Sequence, residues 1–113
     1  MKEIVQNRGF RLWEYRVSHG QLLYRSPADE QYNTSVDIMF FGTKYLCGPC
    51  DLGELSVEYA SQSDVEKLEK YFGKLGSQDS VWMLVGTSHK SVIIAGRMTI
   101  KEHTDGIFSS PFQ

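Results

Sequence analysis

The sequence predicts an α+β fold: about six mostly antiparallel strands, arranged as a curved sheet or a small barrel, with one amphipathic helix. Three observations predict it. Several short runs alternate apolar with polar residues between turn formers, the period of a half-buried strand. A single run, Val65, Leu68, Tyr71, Phe72 and Leu75, repeats at helical spacing. With 113 residues the chain can close one hydrophobic core but not two, so residues 1–113 are read as a single domain.

The first hairpin runs from Phe10 to Ser26. Trp13, Tyr15 and Val17 alternate on one side, and Leu22 and Tyr24 answer them after a His19-Gly20 turn. A two-residue loop pairs Val17 with Leu22 and Tyr15 with Tyr24 on the apolar face, and sets Glu14 opposite Arg25 on the other. A loop of turn formers follows, from Ser26 to Asn33, and then Val36-Asp37-Ile38-Met39-Phe40-Phe41 reads as a third strand. Phe40 and Phe41 point to opposite faces, so this strand is expected to be covered on both. Leu55, Val57 and Tyr59 alternate with Ser56 and Glu58 and suggest a fourth strand, although Leu52, Leu55 and Tyr59 also fit helical spacing.

Ser63-Asp64-Val65-Glu66 has the form of a capping box at the start of the helix, and Gly73 and Gly76 close it. The outward residues Glu66, Lys67, Glu69, Lys70 and Lys74 are mixed in sign and read as a solvated face. Two further β-rich runs, Val81 to Thr87 and Val92 to Lys101, are joined by Ser88-His89-Lys90-Ser91. The simplest register pairs Val85 with Ile94 and Trp82 with Arg97, which allows a cation–π contact. The tail from His103 to Gln113 is polar, with Ile107, Phe108 and Phe112 available to dock it.

Twelve basic against fourteen acidic residues leave a net charge of −2, which offers no field to attract a nucleic-acid backbone or an anionic membrane. Neither partner is expected. The charge is unevenly spread. Residues 1–26 carry Lys2, Arg8, Arg11, Arg16 and Arg25 against Glu3 and Glu14, whereas residues 27–60 carry six acids against Lys44. These read as complementary parts of one surface. The amino-terminal residues lack the apolar stretch of a secretory signal, and no window approaches a membrane span, so a cytoplasmic protein with reduced cysteines is expected.

The one short motif with chemical precedent is Cys47-Gly48-Pro49-Cys50, whose four residues resemble the thioredoxin active-site tetrapeptide. The resemblance implies Cys47 as attacking thiol and Cys50 as resolving thiol. Thioredoxins place the motif at the start of a long helix, whereas Gly53 and the following alternation here favour a strand, so a Gly-Pro turn flanked by two cysteines is the expected structure. A zinc site using Cys47 and Cys50 with two of His19, His89 and His103 lacks a second tight ligand pair; no metal or other cofactor is expected. Ser18-His19 and Ser88-His89 are sequence neighbours in turns and do not by themselves form a catalytic dyad. An enzymatic activity is therefore unsupported. Arg11, Arg16 and Arg25 stand near the aromatics Trp13, Tyr15 and Tyr24 on the first hairpin, a composition found in binding surfaces.

Phe10-x-x-Trp13-x-Tyr15-x-x-Ser18-His19-x-x-Leu22-x-x-Arg25-Ser26-Pro27, with the following Val36-Asp37-Ile38-x-Phe40-Phe41-Gly42, resembles a group of small bacterial proteins with no assigned activity. The resemblance covers about the first forty residues and implies a shared β scaffold, with no catalytic residues to carry over. The function expected is a non-catalytic protein-binding or interaction module of bacterial type, engaging a protein partner or a second copy of itself as a homodimer. Thiol–disulfide redox chemistry by Cys47 and Cys50 is the alternative.

Overall fold

A computed structural model describes residues 2–87 and 89–112, and the side chains of residues 2–7 and of Tyr71 lie outside that description. The expectations for Tyr71 on the helix face and for Ser88 in its turn therefore lie outside the described residues. The strands are β1 (Lys2–Arg16), β2 (Gln21–Ser26), β3 (Ser35–Phe41), β4 (Tyr45–Cys47), β5 (Asp51–Tyr59), β6 (Ser80–Gly86), β7 (Lys90–Ala95) and β8 (Arg97–His103), with one helix, α1 (Gln62–Phe72), between β5 and β6. The strands form one antiparallel sheet of eight in the order β4-β7-β6-β5-β1-β2-β3-β8, so six was an undercount. The two added strands have plain causes. The expected run from Val92 to Lys101 breaks at Gly96 into β7 and β8, and the three residues of β4 are too few to show a period.

Chain connectivity forces this sheet to curl. β7 and β8 stand second and eighth in the order, yet only Gly96 joins them; β3 and β4 stand seventh and first, and only residues 42–44 join them. The ends of the sheet must therefore approach each other. There Gly96 donates its backbone N–H to the Phe41 carbonyl, and Lys44 donates to that of Ile94. No ladder pairs β8 with β4 among the described residues, so the sheet is curved and open, not a closed barrel. On the concave side Phe10, Leu22, Tyr24, Ile38 and Phe40 meet Leu55, Val57, Trp82, Leu84 and Ile93 in one core. Phe40 on β3 contacts Trp82 on β6 edge to face at 6.0 Å, although three strands separate them in the sheet.

The fifteen-residue β1 serves both halves. Its first residues pair with β5 (Val5 with Leu55), its last with β2 (Tyr15 with Leu22), and the register shifts between Val5 and Phe10 and again between Phe10 and Arg11. Such irregularities bend a strand and let one sheet turn a corner. A further bulge lies between Leu12 and Glu14.

That bulge and the turn beyond it overturn the expected hairpin register. Arg16 pairs with Gln21, leaving Val17 to Gly20 as a four-residue turn containing a 3₁₀ turn at Ser18–Gly20 and His19 at φ 65°. Gly20 is required there: its φ is 56°, and a Cβ would fall 2.6 Å from the Thr43 nitrogen. The longer turn pairs Tyr15 with Leu22, and the bulge pairs Leu12 with Tyr24. Leu22 and Tyr24 are buried in the core as expected, but on β1 Leu12 packs there in place of Tyr15 and Val17, which are 49% and 85% exposed. In the second hairpin Val85 pairs with Lys90 and Trp82 with Ile93, and the Gly86 N–H donates to the His89 carbonyl at 2.8 Å just beyond the last pair. Arg97 consequently lies over Phe41 at 4.1 Å, and Trp82 stacks on Tyr59.

The convex side is covered twice. Leu68 of α1 packs with Val81 and Ile94, flanked by Val65, Leu75 and Tyr45. The helix is capped by Ser61, two residues ahead of the expected Ser63: its hydroxyl accepts the Asp64 N–H at 3.1 Å. Over β2 and β3 lies the carboxy-terminal segment, held by a buried ionic cluster. Arg25 and Asp37, directly opposed on these strands, pair through two hydrogen bonds of 2.6 and 2.9 Å. His103 Nε2 lies 2.8 Å from the same carboxylate, while the second guanidinium edge donates to the Ile107 carbonyl at 2.7 Å. The Asp105 N–H donates to His103 Nδ1, which places the ring proton on Nε2, facing Asp37.

Removing one partner of a buried ion pair leaves the other charge uncompensated, at a cost of about 3–5 kcal/mol, whereas replacing both with apolar residues is often nearly neutral. Asp37→Asn should therefore lose about 3–5 kcal/mol in urea unfolding, and the triple variant Arg25→Met, Asp37→Leu, His103→Leu, which removes the whole cluster, much less. A loss for Asp37→Asn below about 1 kcal/mol, the value of an exposed pair, would contradict this description.

Candidate functional site

Where the bend of β1 passes beside the Pro27–Thr34 loop and the start of β5, the surface opens into a cleft of about 340 Å³. Its walls carry Arg8, Arg11, Asp29, Tyr32, Asp51 and Glu54. Arg8 is 4% exposed. Its Nε donates to Ser26 Oγ at 2.8 Å, and its Nη2 donates to the carbonyls of Thr34 at 2.6 Å and Ser26 at 3.2 Å. The Tyr32 ring lies over the guanidinium at 4.3 Å. All these acceptors are neutral, no carboxylate pairs with Arg8 among the described residues, and its Nη1 has no hydrogen-bond partner.

The acids facing it are fixed by backbone turns. Asp29 Oδ1 accepts the N–H groups of Gln31 and Tyr32, both at 2.8 Å, and Asp51 Oδ1 accepts that of Gly53 at 3.2 Å. Arg11 and Asp51 are directly opposed on β1 and β5. Short polar side chains bonding to the backbone two residues on are what make such turns hold their shape.

Of the three arginines singled out in the sequence, only Arg11 lines this cleft. Arg16 is half-buried and pairs with Glu14 at 2.6 Å. Arg25 is 1% exposed and bound to Asp37, not to Glu14, which the bulge moves opposite Leu23. The three therefore do not form one solvent-facing surface. Arg8, Asp29, Tyr32, Asp51 and Glu54 were missed. The available signal was the charge partition: the cleft sets Arg8 and Arg11 from the basic first segment against Asp29, Asp51 and Glu54 from the acidic second.

Cys47 ends β4 and Cys50 immediately precedes β5; both are free and exposed, and a strand follows them rather than a helix. The Cys50 carbonyl accepts the Leu12 N–H at 2.6 Å. A Cβ at position 48 would lie 2.0 Å from the Ser91 hydroxyl oxygen, so only glycine lets this turn sit so close to β7. His19 and His89 are exposed in two separate turns and His103 is committed to Asp37. Among the described residues no three His, Cys, Asp or Glu side chains gather as a metal site, and no helix is long and apolar enough to cross a membrane.

Beneath the cysteine turn lies a titratable group in the core. Burial pushes the Tyr24 phenol up to about 12, the Ser91 hydroxyl acts in the opposite direction, and the charge of the Cys50 thiolate adds to the rise. The Tyr24 and Ser91 hydroxyls are both buried, and neither meets a partner in hydrogen-bonding geometry. Unfolded, the phenol titrates near 10.0. Between that value and about 12 the unfolded chain has released a proton that the fold retains. Stability is thus fully present below pH 10 and falls by about 3 kcal/mol as the pH climbs through this window. Tyr24→Phe should unfold in urea at nearly the wild-type midpoint at pH 7, since the hydroxyl has no hydrogen bond to lose. It should then lose less stability than wild type between pH 10 and 12. Equal alkaline losses in the two proteins would refute the shift.

Comparison of the chain with protein-family models, with curated proteins and with solved structures finds no match.

Proposed function

We propose that this chain is a non-catalytic protein-binding module whose recognition surface is the cleft lined by Arg8, Arg11, Asp51 and Glu54. The observation that carries this reading is a set of unlike charges held in place before any partner arrives. Arg8, Asp29 and Asp51 are each fixed by hydrogen bonds to backbone or neighbouring groups, and Arg8 keeps one donor edge unused. Preorganised charged groups discriminate among partners and spare the entropy of ordering side chains on binding. The two exposed, unlinked thiols suit a reducing compartment, which supports a cytoplasmic setting.

The test is affinity capture from a lysate of the source organism, with wild type and the double variant Asp51→Lys, Glu54→Lys as parallel baits. A protein retained by wild type and lost by the variant is expected, and light scattering then tells whether that partner is a second copy of the chain. Equal retention by both baits would overturn the assignment of the cleft.

A second reading, thiol–disulfide exchange, is favoured by one observation: Cys47 and Cys50 are both free and exposed on the same turn. Iodoacetamide labelling followed against pH separates the two readings. Thiols that titrate at about 8.5 support the binding module, whereas one titrating at about 7 or below would make redox chemistry the better account.

A further inference from the structure

We infer that the cleft recognises a carboxylate group seated on the free edge of Arg8, with a basic group beside it facing Asp51 and Glu54. The inference rests on the protein-binding reading and names the chemistry of the partner segment. Arg8 spends its Nε on Ser26 and its Nη2 on carbonyls, while Nη1 keeps two N–H donors without an acceptor at a position 4% exposed. A buried charged donor left unpaired is unfavourable, and an acceptor-only planar anion supplies what it lacks. Tyr32 covers one ring-like face of the guanidinium, so the anion approaches in the plane, toward Nη1. Nη1 is enclosed, so admitting the carboxylate displaces a group at the cleft wall while Arg8 stays held by Ser26 and Thr34.

Charge decides which anion. Among the described residues Arg8 and Arg11 oppose Asp29, Asp51 and Glu54 around the cleft, two positive groups against three negative. A phosphate dianion would meet a net repulsion there. A carboxylate monoanion accompanied by a lysine or arginine satisfies both sides, with Arg11 as the second guanidinium and the acids taking the cation. The same pairing of groups occurs in a free basic amino acid and in a partner chain carrying an acidic and a basic group side by side, so the experiment must separate these sources.

The experiment is an NMR titration of the isotopically labelled full chain, reading the Arg8 side-chain Nε–H and the Tyr32 ring. The probes are Nα-acetyl-lysine, which carries the carboxylate and the ammonium, lysinamide, which carries no carboxylate, and inorganic phosphate. Nα-acetyl-lysine should shift both signals saturably, and lysinamide and phosphate should not. Arg11→Gln, which leaves the Arg8 hydrogen bonds intact, should weaken the acetyl-lysine response by about tenfold, the loss of one charge-assisted contact. An Arg8 signal unmoved by acetyl-lysine, or one moved equally by lysinamide or phosphate, would overturn the inference. If the signal stays still while affinity capture still loses a partner on Asp51→Lys, Glu54→Lys, the binding module stands and the carboxylate chemistry falls. If acetyl-lysine binds while capture retains no protein, the carboxylate site stands as one for a free amino acid and the protein-binding reading falls.

Discussion

A single residue, Gly96, joins the second strand of the sheet to the eighth, and the rest of the structure depends on that short connection. Two strands separated by six positions cannot be joined by one residue unless the sheet bends until its ends approach. The bend places Phe40 against Trp82 and creates an inner face large enough for a core without a second sheet. It also explains the irregular β1, which changes partner and register where the sheet turns its corner.

The cleft is a by-product of the same corner. At the register shifts of β1, Arg8 and Arg11 come beside the start of β5 and the Pro27–Thr34 loop, so side chains from distant parts of the sequence converge. Two buried guanidiniums meet opposite fates within this small protein. Arg25 has a directly opposed carboxylate and serves as a clamp for the carboxy-terminal segment. Among the described residues Arg8 has only neutral acceptors, and its Nη1 has none. The first is complete in the folded chain and explains stability; the second keeps one buried donor, Nη1, without an acceptor, and that acceptor is the group the proposed partner would supply.

The sequence carried the elements better than their pairing. The helix was legible because Val65 and Leu68 repeat at its period and glycine ends it, though its cap is Ser61 and not the expected Ser63. Alternation at Leu55 and Val57 suggested the strand that forms there, although Leu52, Leu55 and Tyr59 also fitted helical spacing. The hairpin register was not. It turned on His19 adopting positive φ and on a bulge at Trp13, and neither leaves a mark in hydrophobic periodicity. The Arg25–Asp37 pair was hidden for a related reason: with the wrong register, Glu14 had already been assigned to Arg25. The site was half legible, through the opposed charges of residues 1–26 and 27–60, but a buried arginine looks the same in sequence as an exposed one.

The curl of the sheet is the claim on which core, cleft and clamp all rest, and a NOESY spectrum of the aromatic protons tests it most directly. The account predicts cross-peaks between the Phe40 ring and the Trp82 indole, two residues that a flat sheet of this strand order would hold far apart. A Trp82 indole with contacts to Tyr59 and its β5 and β7 neighbours but none to Phe40 would contradict it.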